Sequence, residues 1–203
     1  MKPISVSGPD PRYFIQYRPD PSAFGDLTRL QTALSRAGGV LVREPELHVT
    51  VIHIGSLRRL HADLSRQGST ISLSSLREGL DGYAAWAETA MLPGVTLQPS
   101  GLELWGAERG VVVLRFAKDA PLLSLHRQAA ERLMALAGNW IPGRRPEELF
   151  GTLPQLRHAM SFRPHMTLAR YEGQDRAVPD GAEAMLPADV SLVADTVVQW
   201  GRP

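Results

Sequence analysis

Leu47-His48-Val49-Thr50-Val51-Ile52-His53-Ile54-Gly55 is a short apolar run rich in β-branched residues. Phe162-Arg163-Pro164-His165-Met166-Thr167-Leu168-Ala169-Arg170 echoes it late in the chain. Both read as strands. Residues i and i+2 of a strand share a face. His48 and Thr50 therefore point one way, as do His165 and Thr167, with Val49, Val51, Met166 and Leu168 on the opposite faces. Strict alternation also sets His53 on the face away from His48, and Arg170 on the face away from His165. With six histidines among 203 residues, about 0.27 His-x-Thr triplets are expected by chance, and two arise roughly 3% of the time. The plainer alternative is a pair of partly buried histidines bonded to their neighbours.

The rest of the composition narrows the setting. A chain of 203 residues, 43% apolar and 21% charged, suits one domain with a real core. Cysteine is absent, which excludes disulfides, cysteine nucleophiles and thiolate metal sites. No secretory leader pattern and no run apolar enough to span a membrane is present. The expectation is a cytoplasmic monomer without membrane contact. A formal charge of +1 argues against a general nucleic-acid coat and leaves room for a local basic patch.

Taken in order, residues 1–11 are a turn-rich lead-in and residues 12–17 a strand. The aromatics on that strand read as core, with one of Tyr13 and Tyr17 as the candidate to line a cleft instead. Phe24, Leu27, Leu30, Leu34 and Ala37 recur at helical spacing, capped by Asp20 or Ser22 and stopped at Gly38-Gly39. Residues 58–68 have no firm assignment. Ser75 to Glu78 has capping-box form and opens a helix to about Met91, with Trp86 off the centre of its stripe. Strands follow at 95–98 and 102–105, and a turn at 106–110 separates them from a third at 111–116. Arg115 is the one charge on the last of these strands, either facing a polar cleft to attract phosphate or simply exposed or paired. Asp119 caps the clearest helix, which runs to Ala137, and His126 beside its stripe reads as structural. Residues 139–160 form a long irregular connection whose Trp140, Arg144 and Arg145 either grip a nucleotide or RNA end or make a solvated basic loop. A surface excursion over 172–187, with one last strand over 190–200, completes two comparable α+β halves.

The two quoted motifs resemble those of the two-histidine (2H) phosphoesterase superfamily, in particular its bacterial 2′–5′ RNA ligase and cyclic phosphodiesterase-like group. His48-x-Thr50 with Gly55 matches the first family motif, and Phe162-x-Pro164-His165-x-Thr167-Leu168-x-Arg170 matches the second. His53 stands where the family more often has an aromatic residue. The resemblance spans about residues 12–200. It implies a bilobal, pseudo-two-fold α+β fold over residues 1–203, in which two antiparallel sheets form a central cleft with helices outside. One motif would come from each lobe. It implies no cofactor and no metal. It also makes Arg170 the counterpart of the family arginine, which strict alternation would leave to reach round a strand end or to support the fold.

Two imidazoles across such a cleft make an acid–base pair, because a histidine pKa near 6.5 allows one ring to be neutral and the other charged. In-line displacement at phosphorus needs a base on one side and an acid on the other. Thr50 and Thr167 are placed to donate to the non-bridging oxygens as charge builds there. A nucleotide or RNA end carrying a 2′,3′-cyclic phosphate suits this apparatus, with water as nucleophile. The resemblance implies that His165 is the base and His48 the acid. The competing readings are 2′–5′ RNA ligation or 2′–5′ phosphodiester cleavage at the same site, a non-catalytic RNA-end or nucleotide binder, and a metal-dependent hydrolase. The last would need carboxylates within the motifs, which hold none.

Overall fold

The computed structural model describes residues 10–106, 110–157, 159–171, 177–195 and 197–200, with the backbone alone at 199 and 200. Most of the expected lead-in, the middle of the turn after Gly106, His158, the start of the excursion after Tyr171 and Thr196 lie outside the described residues. Strand β1, Pro11–Pro19, buries Tyr13, Ile15 and Tyr17 on one face and ends at two prolines around Asp20. Asp20 caps the next turn by accepting from the Ser22 N–H. Helix α1, Phe24–Arg36, then buries Leu27, Leu30 and Leu34 against the sheet. The glycines that end it also begin a strand, β2, Gly39–Leu41, which pairs with the second motif strand. A Cβ at residue 39 would sit 2.9 Å from the Leu34 carbonyl oxygen and 3.3 Å from Ala169 Cβ. Only glycine lets that helix end and that strand approach so closely.

Strand β3 runs Val49–Ser56, with His48 immediately before it. Helix α2, Leu57–Arg66, occupies the stretch that the sequence left unassigned. Its cap is Ser56, whose hydroxyl accepts from the Arg59 N–H, and Leu57, Leu60 and Leu64 are its buried stripe. Helix α3, Leu73–Ala90, starts ahead of the expected capping box because Ser72, not Ser75, supplies the capping oxygen. Trp86 lies at the edge of that packing, against the Tyr83 ring and under the Arg132 guanidinium. Strands β4 (Gly94–Leu97), β5 (Pro99–Trp105) and β6 (Val111–Phe116) follow, and Asp119 caps α4, Ala120–Ala137. The connection expected to be irregular contains helix α5, Pro146–Thr152, which buries Leu149 and Phe150. After β7, His165–Tyr171, the expected last strand is two: β8, Val190–Ala194, and β9, Val198–Trp200. Both pair with β1, at its opposite ends. The break falls at Asp195, whose carboxylate turns in to accept from Arg18 and Gln16 of β1.

The pairing order is β4-β8-β1-β3-β7-β6-β5, with β2 added on β7 and β9 on β1, and every pair is antiparallel. The outermost strands β4 and β5 are consecutive in the chain and only Gln98 separates them. The sheet must therefore curl until its edges nearly meet, giving a nearly closed barrel with helices around it. This corrects the expectation of two separate sheets. The two expected halves are stitched into one sheet where β3 and β7 meet in a single register pair, Val49 with Met166. Both of those side chains are fully buried, and their burial is the physical reason that the strands close up there.

Candidate active site

The seam between β3 and β7 carries both motifs. Carried one step either way from the Val49–Met166 pair, the antiparallel register sets His48 across from Thr167, and Thr50 across from His165. All four lie on the face opposite the buried pair, and all four are half-buried. The two imidazoles are held alike. His48 Nδ1 lies 2.7 Å from the Glu46 carbonyl oxygen, and His165 Nδ1 lies 2.7 Å from the Arg163 carbonyl oxygen. A carbonyl can only accept, so Nδ1 carries the proton in each neutral ring and Nε2 is its basic nitrogen. The His165 ring is further flanked by the Trp105 indole, with centroids 4.3 Å apart. Trp105 is itself fixed, because its Nε1–H donates to Glu103 at 2.7 Å.

An open cleft of 1630 Å³ runs over this face. His48, Thr50, His165 and Trp105 line it at one end, and Arg12, Ser56 and Arg59 at the other. Thr167 shares the face but does not reach the cleft lining. Among the described residues no three His, Cys, Asp or Glu side chains gather as a metal site.

Register shifts on both motif strands change which residues face this cleft. On β3, Ile52 pairs with Ile15 and Thr50 with Gln16, so Val51 is an extra residue and the alternation reverses past it. His53 consequently pairs with Phe14, whose ring it stacks on at 6.4 Å between centroids, and lines the cleft on the same side as Thr50. This corrects the placement of His53 on the far face. On β7, Thr167 pairs with Val113 and Ala169 with Val112, so Leu168 is extra. Arg170, paired with Val111, returns to the Thr167 face. It is exposed there and outside the cleft lining. No reach round a strand end is needed for it to share that face.

The other expected binding residues stand elsewhere. Tyr17 is fully buried, and its hydroxyl accepts from the Leu92 N–H at 3.1 Å. Burial raises its pKa. Tyr13 is buried as well, bonded to Asp81 at 2.6 Å. Both tyrosines thus sit on the core face of β1, as the core reading has it and not as a cleft-lining Tyr17 would require, and the opposite face, Arg12, Phe14 and Gln16, lines the cleft. Trp140 is 1% exposed and lines no part of the cleft. It is a core residue whose truncation would cost about 3–5 kcal/mol of stability. Arg144 donates to Gln67 at 2.7 Å, and Arg145 donates to Glu148 within α5 at 2.8 Å, both away from the cleft. Arg115 pairs across the ladder with His165, yet its guanidinium is bound by Glu103. Hydrogen bonds from Trp105 and then Arg115 hold the Glu103 carboxyl below its ordinary range. The cleft residues that motif reading passed over are Arg12, Phe14, Gln16, His53, Trp105 and Gln155. The alternation of β1 carried the signal for the first three.

No protein-family model and no curated protein sequence matches the chain. Solved structures do. The chain has the LigT fold. It aligns with Escherichia coli LigT in apo form at TM-score 0.53 and 17% identity, covering 84% of this chain and 78% of that one. A crystal structure described as a phosphoesterase aligns at TM-score 0.53 and 17% identity, covering 90% and 87%. TT0787 of Thermus thermophilus aligns at TM-score 0.51 and 19% identity, covering 93% and 82%. E. coli LigT has also been solved with 3′-AMP and with phosphate. At such identities the likeness establishes the shared fold. Among the described residues no helix is long and apolar enough to cross a membrane.

Proposed function

We propose that this protein is a 2H phosphoesterase that hydrolyses 2′,3′-cyclic phosphodiesters on nucleotides or RNA ends without a metal. The observation that carries the reading is the matched clamp on His48 and His165. Each Nδ1 is tied at 2.7 Å to the carbonyl two residues upstream, on either side of one seam. A clamp of that kind fixes the ring and its tautomer and leaves Nε2 to move a proton. Two such rings flanking one phosphate supply the base and the acid of an in-line displacement. His165 takes the proton of the attacking water, and His48 returns one to the leaving ribose oxygen. The Thr50 hydroxyl donates to a non-bridging oxygen as its charge grows. Thr167, across from His48 on the same face though outside the cleft lining, is assigned the second such donation, and Arg170 adds positive charge from that face. The LigT fold and the binding of 3′-AMP and phosphate by LigT support a nucleotide phosphate as the ligand.

Chelator-stripped protein is expected to hydrolyse a nucleoside 2′,3′-cyclic phosphate, and activity restored only by a divalent ion would refute the metal-free mechanism. His48→Ala and His165→Ala are each expected to lose about 10²–10⁴-fold in turnover. The double variant should lose far less than the product of the two, since groups acting as a unit are non-additive. A nitrophenyl phosphodiester, whose leaving group needs no proton, separates the roles. It should largely rescue His48→Ala and not His165→Ala. Full activity of either alanine variant on the cyclic substrate would return both motifs to a purely structural role.

A further inference from the structure

We propose that the end of the cleft remote from the histidines is a second anion subsite, formed by Arg12 and Arg59. It would hold a backbone phosphate of an oligonucleotide whose cyclic end lies at His48 and His165. This rests on the phosphodiesterase reading and extends it from a single nucleotide to a chain.

The β1–β3 ladder acts as a ruler along the cleft. Gln16 pairs with Thr50 at the histidine end, Phe14 with His53 in the middle, and Arg12 with Ser56 at the far end. All six of these residues line the cleft, and Arg59 joins them from the first turn of α2. From Gln16 to Arg12 is four residues of regular β1, about 13 Å. That is several times the rise of about 3.4 Å per nucleotide along a stacked strand. A phosphate held at Arg12 is therefore not the reacting one but belongs further up the chain.

Among the described residues the charge at that end is not spent in ion pairs. Arg12 and Arg59 are both exposed. The nearby carboxylate, Asp10, is engaged in starting α2, where it accepts from the Ser56 hydroxyl and from the Arg58 N–H at 3.0 Å. The other acid of the cleft, Glu46, sits beside His48 at the opposite end. Between the two ends lies the stacked Phe14–His53 ring pair, an aromatic wall. Paired guanidiniums at one end of a groove with an aromatic wall are what a single-stranded backbone requires.

Binding of a fluorescent single-stranded RNA octamer ending in a 2′-phosphate, followed by anisotropy over 50–200 mM salt, tests the subsite without relying on turnover. Each phosphate neutralised contributes a log–log salt slope of about 0.7 for single strands. Wild-type protein should bind the octamer with a slope steeper by about 0.7 than it shows for a competing nucleoside 2′-monophosphate. The double variant Arg12→Gln/Arg59→Gln should abolish that excess slope and weaken octamer binding about tenfold at low salt. Equal slopes for wild type and variant, or an equal loss of affinity for the mononucleotide, would overturn the subsite. Hydrolysis of the cyclic-ended octamer is read in parallel. Excess slope without hydrolysis would retain the subsite and refute the enzymatic reading, whereas hydrolysis without excess slope would do the reverse.

Discussion

Gly55 closes the first motif strand at φ +84°, and replacing it with alanine isolates what that backbone conformation is worth. An added Cβ would meet His53 Nε2 at 3.5 Å and Gln155 Cβ at 3.8 Å, both ordinary contact distances. The penalty is therefore conformational rather than steric, about 1–2 kcal/mol for an L-residue in the left-handed region. Lower entropy of the unfolded alanine chain offsets about 0.4–1 kcal/mol of it, so the net loss expected is about 1 kcal/mol. For a chain of this size that lowers Tm by about 2–4 °C, and it should appear in urea unfolding as a lower midpoint with an unchanged m-value. Gly68 is the internal control. Its φ is +90° with nothing within 4 Å of an added Cβ, so Gly68→Ala should cost the same within about 0.5 kcal/mol. The two variants should differ in function. Gly55 pairs with Tyr13 where the ladder shifts register beside His53, so Gly55→Ala should also raise KM, while Gly68→Ala should not. A Gly55→Ala protein as stable as wild type would refute the requirement for a left-handed residue. A loss several kcal/mol greater than that at Gly68 would refute the claim that the site has room for a methyl group.

Thr50→Ala is expected to lower turnover about 10- to 1000-fold with the fold intact, and Thr50→Ser to retain most of it. The same holds for Thr167, and equal losses from serine and alanine at either position would assign the effect to the methyl group. His126 is buried, stacked on Phe162 at 5.1 Å, and its pKa is pushed below the ordinary 6.5 by that burial. The unfolded chain thus binds a proton at this residue that the folded chain refuses. Its contribution to stability is complete above about pH 6.5 and declines as the pH falls below that value. Urea midpoints measured at pH 8 and pH 5.5 should show a smaller acid loss for His126→Phe than for wild type, and an identical loss would remove His126 as the cause.

Much of the framework was legible because its signals are local. The α4 stripe, its Asp119 cap and the β6 run each lie within a few residues of one another, and each forms the expected element. The alternation of His48 with Thr50, and of His165 with Thr167, is equally local and survives because none of the three register shifts falls inside either triplet. Helix α2 escaped because its stripe is short and its cap, Ser56, reads as the end of a strand. Trp140 misled because an aromatic residue among arginines looks like a ligand-stacking surface. Its burial depends on the helices that pack over it.

The sequence by itself determined strands β1 and β3 to β7, helices α1, α3 and α4, the pairing of an imidazole with a hydroxyl on each motif strand, and the absence of thiol chemistry. Tertiary structure alone decided that the two halves form one curled sheet, closed through Val49 and Met166. It alone decided that His53 and Arg170 return to the functional face. A bulge has no signature within its own strand, because a residue is extra only relative to the partner it fails to pair with. Val51 and Leu168 become extra residues only when β1 and β6 lie beside them.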